Sequence, residues 1–269
     1  MAVQPEATGR RRVMEAAWRR LLGLLDNFNG AHGIDEFAGT VDTVEPDGDL
    51  AGFLRGYSGP SVFKWAHYIP LYERHFAPYR AGFPLQDGSR RPVRFLEIGV
   101  LQGGSLRLWR KYFGPDAVLV GIDIDPRCRE VAGDAEVRIG SQTDAAFLRS
   151  VVQEMGGVDI VLDDGSHRGT DTRRAFDALF PLLSDGGLYV VEDLHTAYWL
   201  SFGWRRQSFV KMIHVMIDGM HGWYRSRLPR EGRFAQSAVG GLHVYDSIAF
   251  VDKRSHGRPT VFKVGTTSW

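Results

Sequence analysis

Apolar runs and helical stripes alternate through the middle of the chain. Residues 94–100, 117–123, 158–163 and 187–192 each read as a mostly apolar run of strand length, and 136–139 as a short strand among them. Between them, 105–113, 145–155 and 170–183 carry apolar residues at helical spacing. Strands that are apolar throughout and separated by helices predict a parallel sheet with both faces covered. A further helix is expected over 207–220. Residues 242–251 and 260–264 then read as two strands joined by the polar turn 252–258, an antiparallel hairpin. The expected class is α/β, with a mostly parallel sheet of seven strands ending in that hairpin.

The N-terminal quarter is patterned differently. Residues 1–9 read as disordered. Met14, Ala17, Leu21 and Leu25 sit at helical spacing and predict a helix over 13–27. Residues 30–59 are rich in Gly and Asp with little periodicity. The aromatic stretch 61–79 (Phe63, Trp65, Tyr68, Tyr72, Phe76, Tyr79) predicts a helix, and 84–91 a polar linker. The reading divides the chain into an N-terminal helical extension, 1–60, acting as a lid or an oligomer contact, and a sheet-bearing domain, 61–269. The long extension points to a dimer or larger assembly.

Composition narrows the function. The 269 residues are 43% hydrophobic and 24% charged, an ordinary globular balance. A net charge of +1 gives no electrostatic case for nucleic acid or an acidic membrane as partner. No run approaches the ~18 uninterrupted apolar residues of a membrane span, and Arg10-Arg11-Arg12 is not followed by a secretory pattern. Cys128 is the sole cysteine, which excludes an intrachain disulfide and a thiolate metal site and suits a reducing, cytoplasmic setting.

Candidate chemistry lies where the strands should end. Glu97-Ile98-Gly99 leads through Gly103-Gly104 into Ser105, a strand, a glycine-bearing loop and a helix start. Glycines there let the backbone approach a nucleotide-like cofactor. The dinucleotide fingerprint G-x-G-x-x-G is absent, because position 101 is Leu. Asp123 ends the next strand, where a carboxylate can accept ribose hydroxyl protons. Ser141 and Gln142 follow the third strand, where an adenine edge would lie. This order of motifs resembles the class I S-adenosylmethionine-dependent methyltransferases, a Rossmann-like fold. The resemblance implies that Glu97, Gly99, Gly103, Ser105, Asp123, Ser141 and Gln142 bind the cofactor.

Two further clusters each set two acids and a histidine where neighbouring strands should end: Asp163-Asp164-Gly165-Ser166-His167 and Glu192-Asp193-Leu194-His195. Helix capping explains one acid per site, not two at each of two neighbouring strands. In these motifs the chain resembles the metal-dependent sugar O-methyltransferases of macrolide and polyketide pathways and the mycobacterial enzymes that methylate mannose or rhamnose glycans. The likeness runs from about residue 64 to 251. It implies Mg²⁺ held by Asp164, Glu192 and Asp193, with His167 as the base. Asp163 is then expected near the methionine amino group of the cofactor, and Lys64 or Tyr68 near its carboxylate. Oxygen ligands suit a hard divalent cation, and the ordinary histidine pKa of about 6.5 suits a base near neutral pH.

His195 is read as a substrate contact or a supporting residue. Tyr198, Trp199, Phe202, Trp204, Trp223 and Tyr224 either stack on a sugar or aglycone or bury an interface. The expected substrate is a glycosylated small molecule or an oligosaccharide. Three alternatives keep parts of this reading: methylation of a catechol-like phenol, a nicotinamide-dependent oxidoreductase, and a non-catalytic cofactor-binding scaffold. The missing G-x-G-x-x-G opposes the second, and the full set of acids and His167 opposes the third.

Overall fold

The computed structural model describes Leu21, residues 48–131 and residues 133–265. The expected disorder of 1–9, the helix over 13–27 apart from Leu21, and most of the 1–60 extension lie outside them. The described part opens with helix α1 (Asp49–Arg55) and helix α2 (Tyr68–Phe76). The aromatic stretch is thus helical only from Tyr68, and 61–67 is irregular. Pro70, which lacks an N–H and favours the first turn of a helix, sits two residues inside that start. The expected linker instead holds a two-stranded ladder, β1 (Phe83–Pro84) with β2 (Arg90–Arg91).

The alternating region follows as expected. It comprises β3 (Arg94–Ile98), α3 (Gly104–Phe113), β4 (Val118–Asp123), α4 (Cys128–Val131), β5 (Glu136–Ile139), α5 (Ala145–Glu154), β6 (Val158–Asp163), α6 (Gly169–Leu179) and β7 (Leu183–Val191). After it come α7 (Phe209–Met220), α8 (Ala235–Ala238), β8 (Val239–Val244) and β9 (Ala249–Lys253). The seven-stranded sheet has the order β5-β4-β3-β6-β7-β9-β8. The first five strands are parallel, and β9 runs antiparallel between β7 and β8.

Every residue of β6 is buried, as a central parallel strand requires. Side chains alternate between two cores. Leu96, Ile98 and Val161 face one packed by α5, α6 and α7. Phe95, Ile160 and Leu162 face the other, packed by α1, α2 and α3. The segment just before the sheet is therefore part of the second core.

The terminal hairpin corrects the sequence reading in position. Its turn is Tyr245–Ile248, inside what reads as a single strand over 242–251. Residues 260–264 form no strand, and Val261 and Phe262 are exposed. The turn contains neither Gly nor Pro, the usual markers, and is made by Ser247 at φ 63°. The helix expected over 170–183 stops at Leu179, and β7 begins at Leu183 rather than 187.

One buried acid lies at the opposite end of the sheet from the candidate site. Asp159 is wholly buried and accepts two bonds of 2.6 Å from the Arg91 guanidinium, with Ser184 and the Arg94 amide as further donors. Burial opposes its charge, but these donors hold the carboxyl below its ordinary range. Asp159→Asn is expected to lower stability by about 3 kcal/mol, near the low end for a broken buried pair because Arg91 keeps some access to water. Urea denaturation measures it.

Candidate active site

Parallel β6 and β7, paired Asp163 to Val191, deliver both acid motifs to one edge of the sheet. Four non-glycine residues have positive φ among the described residues: Leu101, His167, Asp193 and Ser247. All four lie in loops at this edge. Such conformations cost about 1–3 kcal/mol each and concentrate at functional sites.

The glycine loop is fitted to the acid motif beside it. Gly99 has φ 94°, and a Cβ there would overlap the Asp164 carbonyl oxygen. Gly103, φ 73°, closes the turn by donating to the Val100 carbonyl at 2.8 Å and caps α3. Asp123 holds the loop in place: its Oδ2 accepts from the amides of Val100 (2.9 Å) and Leu101 (3.2 Å). Glu97 is wholly buried and receives Ser105 Oγ at 2.9 Å and the Trp109 indole N–H at 3.3 Å. Burial raises its carboxyl to about 7, against the nearby Lys64 ammonium. Ser141 Oγ bonds the Thr143 hydroxyl at 2.9 Å. Gln142 bridges the two halves, with Nε2 donating to Asp163 (3.3 Å) and Oε1 accepting from the Ser166 amide (2.8 Å).

Asp163 is buried, and burial raises it to about 7. An acid with a raised folded-state pKa binds its proton more tightly when folded. That stability is fully present below about 4, the unfolded value, and is lost as pH rises through about 7. The cation-free protein is thus expected to melt at progressively lower temperature from pH 5 to pH 8. Asp163→Asn should flatten that slope, leaving the part that Glu97 contributes in the same direction. Calorimetric melts across this range check it.

The acids meet residues from the N-terminal side. Lys64, with 3% of its side chain exposed, places Nζ 2.5 Å from Asp164 Oδ2, 2.8 Å from Glu192 Oε1 and 3.9 Å from Glu97 Oε1. Burial opposes its charge, yet the three carboxylates outweigh burial and hold the ammonium above its ordinary value. Glu192 also accepts from the Tyr72 hydroxyl at 2.5 Å. Asp193 Oδ1 accepts from the Trp65 indole N–H at 3.0 Å and from the Tyr68 hydroxyl at 3.1 Å. Burial raises Asp164 and Glu192 despite Lys64. One ammonium against this many acids leaves the edge short of positive charge.

Asp164, His167 and Asp193 offer ligand atoms that all lie within 4.8 Å of one another. His167 Nε2 is 3.9 Å from Asp164 Oδ1 and 3.7 Å from Asp193 Oδ2. Two carboxylates and an imidazole converging at this spacing fit a divalent cation. Glu192 lies beside this trio, in the Lys64 and Tyr72 contacts. A cleft opens on His167, Glu192 and Asp193 and is walled by Phe202, Trp204 and Phe209. His195 and Tyr198 are not in its lining. His195 bonds Ser247 through Nδ1, and its buried Nε2 has no hydrogen-bond partner. Tyr198 is exposed under the Arg205 guanidinium.

Tyr72, Trp109 and Ser247 enter the site although the sequence does not single them out for it. Tyr72 has a local signal, since Tyr68, Tyr72 and Phe76 follow one another at i, i+4 and i+8 on a single helix face. Ser247 has none.

Known proteins resemble this chain in sequence and fold. Residues 96–194 fit the family model of a methyltransferase domain. The chain is 38% identical over 207 residues to the 8-demethyl-8-α-L-rhamnosyl tetracenomycin-C 2'-O-methyltransferase of Streptomyces olivaceus, covering 72% of this chain and 52% of that one. It is 36% identical over 227 residues to the mycinamicin VI 2''-O-methyltransferase of Micromonospora griseorubida, covering 76% and 52%. This chain belongs to the sugar O-methyltransferase family. It spans about half the length of the curated family members it matches. The MycE methyltransferase of the mycinamycin biosynthetic pathway, solved in complex with Mg, SAH and mycinamycin VI, superposes with a TM-score of 0.61 at 36% identity, over 72% of this chain and 50% of that one. No helix among the described residues is long and apolar enough to cross a membrane.

Proposed function

We propose that this chain transfers a methyl group from S-adenosylmethionine to a sugar hydroxyl of a glycosylated natural product or oligosaccharide, using Mg²⁺. The observation that carries the reading is the convergence of Asp164, His167 and Asp193 beside the Gly99 loop. The complexes of MycE with Mg and SAH, and with mycinamycin VI, support it by likeness. Asp164 and Asp193, with Glu192, would hold the cation. When bound, it would lower the pKa of a chelated sugar hydroxyl and orient it towards the methyl group.

The chain's own residues do the rest. The Gly99–Gly103 loop, Asp123 and Gln142 form the cofactor side. His167 Nε2 faces the acids and takes the hydroxyl proton as the oxygen attacks the methyl carbon. The new bond is O–CH₃ and the broken one S–CH₃. The electron pair stays on sulfur, giving S-adenosylhomocysteine and a methyl ether. Phe202, Trp204 and Phe209 offer an apolar wall beside the reacting groups, where an aglycone can rest.

The test is incubation with methyl-labelled S-adenosylmethionine and Mg²⁺ against deoxyhexosyl macrolides, glycosylated aromatic polyketides, short glycans and simple catechols. Label on a sugar oxygen is expected. Label on catechols alone would replace the sugar by a vicinal phenol, which chelates equally well.

A further inference from the structure

Three acids at the edge of the sheet are each held through one oxygen by the segment before the sheet. Lys64 binds Asp164 Oδ2 and, with Tyr72, Glu192 Oε1; Trp65 and Tyr68 bind Asp193 Oδ1. In Asp164 and Asp193 the opposite oxygens, Oδ1 and Oδ2, are the ones that face His167. The sheet fixes where these residues start. It does not fix which carboxylate oxygen points outward, and the donors from residues 64–72 do.

We infer that Trp65 and Tyr68, together with Lys64, are positioning residues of the cation site: they hold the Asp193 and Asp164 carboxylates with one oxygen turned to the cation. This rests on the proposed use of Mg²⁺. A carboxylate already pinned through one oxygen has lost its rotational freedom before the cation arrives, so binding orders less. Residues supporting metal ligands in this way typically contribute 10–100-fold to metal affinity. The segment is itself firmly seated. Tyr68 and Tyr72 are wholly buried, and a side chain at Gly104 would strike the Ser61 carbonyl oxygen, so the start of α3 packs directly against it. Asp193 at φ 55° is held by the same neighbours, since its amide donates to the Tyr68 hydroxyl at 3.3 Å.

Trp65→Phe and Tyr68→Phe each remove one donor to Asp193 and change no charge, which a Lys64 variant would. Calorimetric titration with Mg²⁺ is expected to show affinity about 10-fold weaker in each variant, while S-adenosylhomocysteine binds Trp65→Phe within about twofold of wild type. In turnover, the Mg²⁺ concentration for half-maximal rate should rise by the same factor, and the rate at saturating Mg²⁺ should recover. A donor that only supported the fold would lower the melting temperature and leave the Mg²⁺ affinity of the folded protein untouched. If Trp65→Phe fails to fold, Tyr68→Phe, which removes a single oxygen atom, carries the test. Wild-type Mg²⁺ affinity in the variants overturns the inference alone. A wild-type protein that binds no Mg²⁺ overturns the cation reading with it.

Discussion

Chelating divalent cations with EDTA is expected to lower methyl transfer to a glycoside by more than about 10³-fold, and excess Mg²⁺ should restore it. Two effects of the cation add. Stabilising the developing alkoxide is worth several kcal/mol, and each 1.36 kcal/mol is tenfold in rate. Fixing the hydroxyl in line with the methyl group draws on effective molarities of about 10⁵–10⁸ M. The chain's own cation cannot substitute. Lys64 is a buried single charge already bound between Asp164 and Glu192, with no open positions for two sugar oxygens. Asp193→Asn should reproduce most of the loss at ordinary Mg²⁺ concentrations, because it weakens the side chain whose Oδ2 faces His167. The readout is initial rate with labelled S-adenosylmethionine. Undiminished turnover in EDTA, with Mg²⁺ shown absent, would refute the use of a cation.

The parts of this site legible in the sequence are those the parallel sheet delivers. Once 158–163 and 187–192 read as adjacent apolar strands, their following residues must emerge at one edge, so Asp164, His167 and Asp193 come together without any knowledge of side-chain contacts. The strands over 136–139 and 158–163 match the structure to the residue. The pairing of Lys64, Trp65 and Tyr68 with acids 100–128 residues away leaves no such trace. No local period encodes it, and Lys64 and Tyr68 read equally well as contacts to the cofactor's carboxylate.

The hairpin turns at a residue whose conformation is imposed from outside. Ser247 takes positive φ in a turn lacking Gly and Pro. Its carbonyl accepts from the Leu194 amide and shares the Tyr68 hydroxyl hydrogen with Asp193 Oδ1, and its hydroxyl accepts from the His195 amide. Tertiary hydrogen bonds thus select a turn that local propensity does not advertise. The exposed apolar run near 261–264 illustrates the converse, since an apolar pattern predicts a strand only where a neighbouring strand can pair with it.

His167→Ala is expected to lower the methyl-transfer rate by about 10²–10⁴-fold, the usual contribution of a positioned base, and to leave measurable activity. The residual rate follows because the cation would still acidify and orient the hydroxyl, so proton removal falls to water. His167 lies close enough to Asp164 and Asp193 to be a cation ligand instead, and the variant separates the two roles. If His167 is the base, Mg²⁺ affinity measured by calorimetry stays within a few-fold of wild type, while the rate falls and added imidazole recovers part of it. If His167 is a ligand, Mg²⁺ affinity falls with the rate, and saturating Mg²⁺ rather than imidazole restores turnover. The geometry favours the base. A magnesium ion prefers oxygen donors, and both acids already turn an oxygen towards the same point. The backbone at His167, φ 54°, holds the ring where a hydroxyl chelated between those oxygens would meet its Nε2. His167→Asn tolerates that conformation and controls for backbone strain, so a rate loss shared by both variants belongs to the missing imidazole.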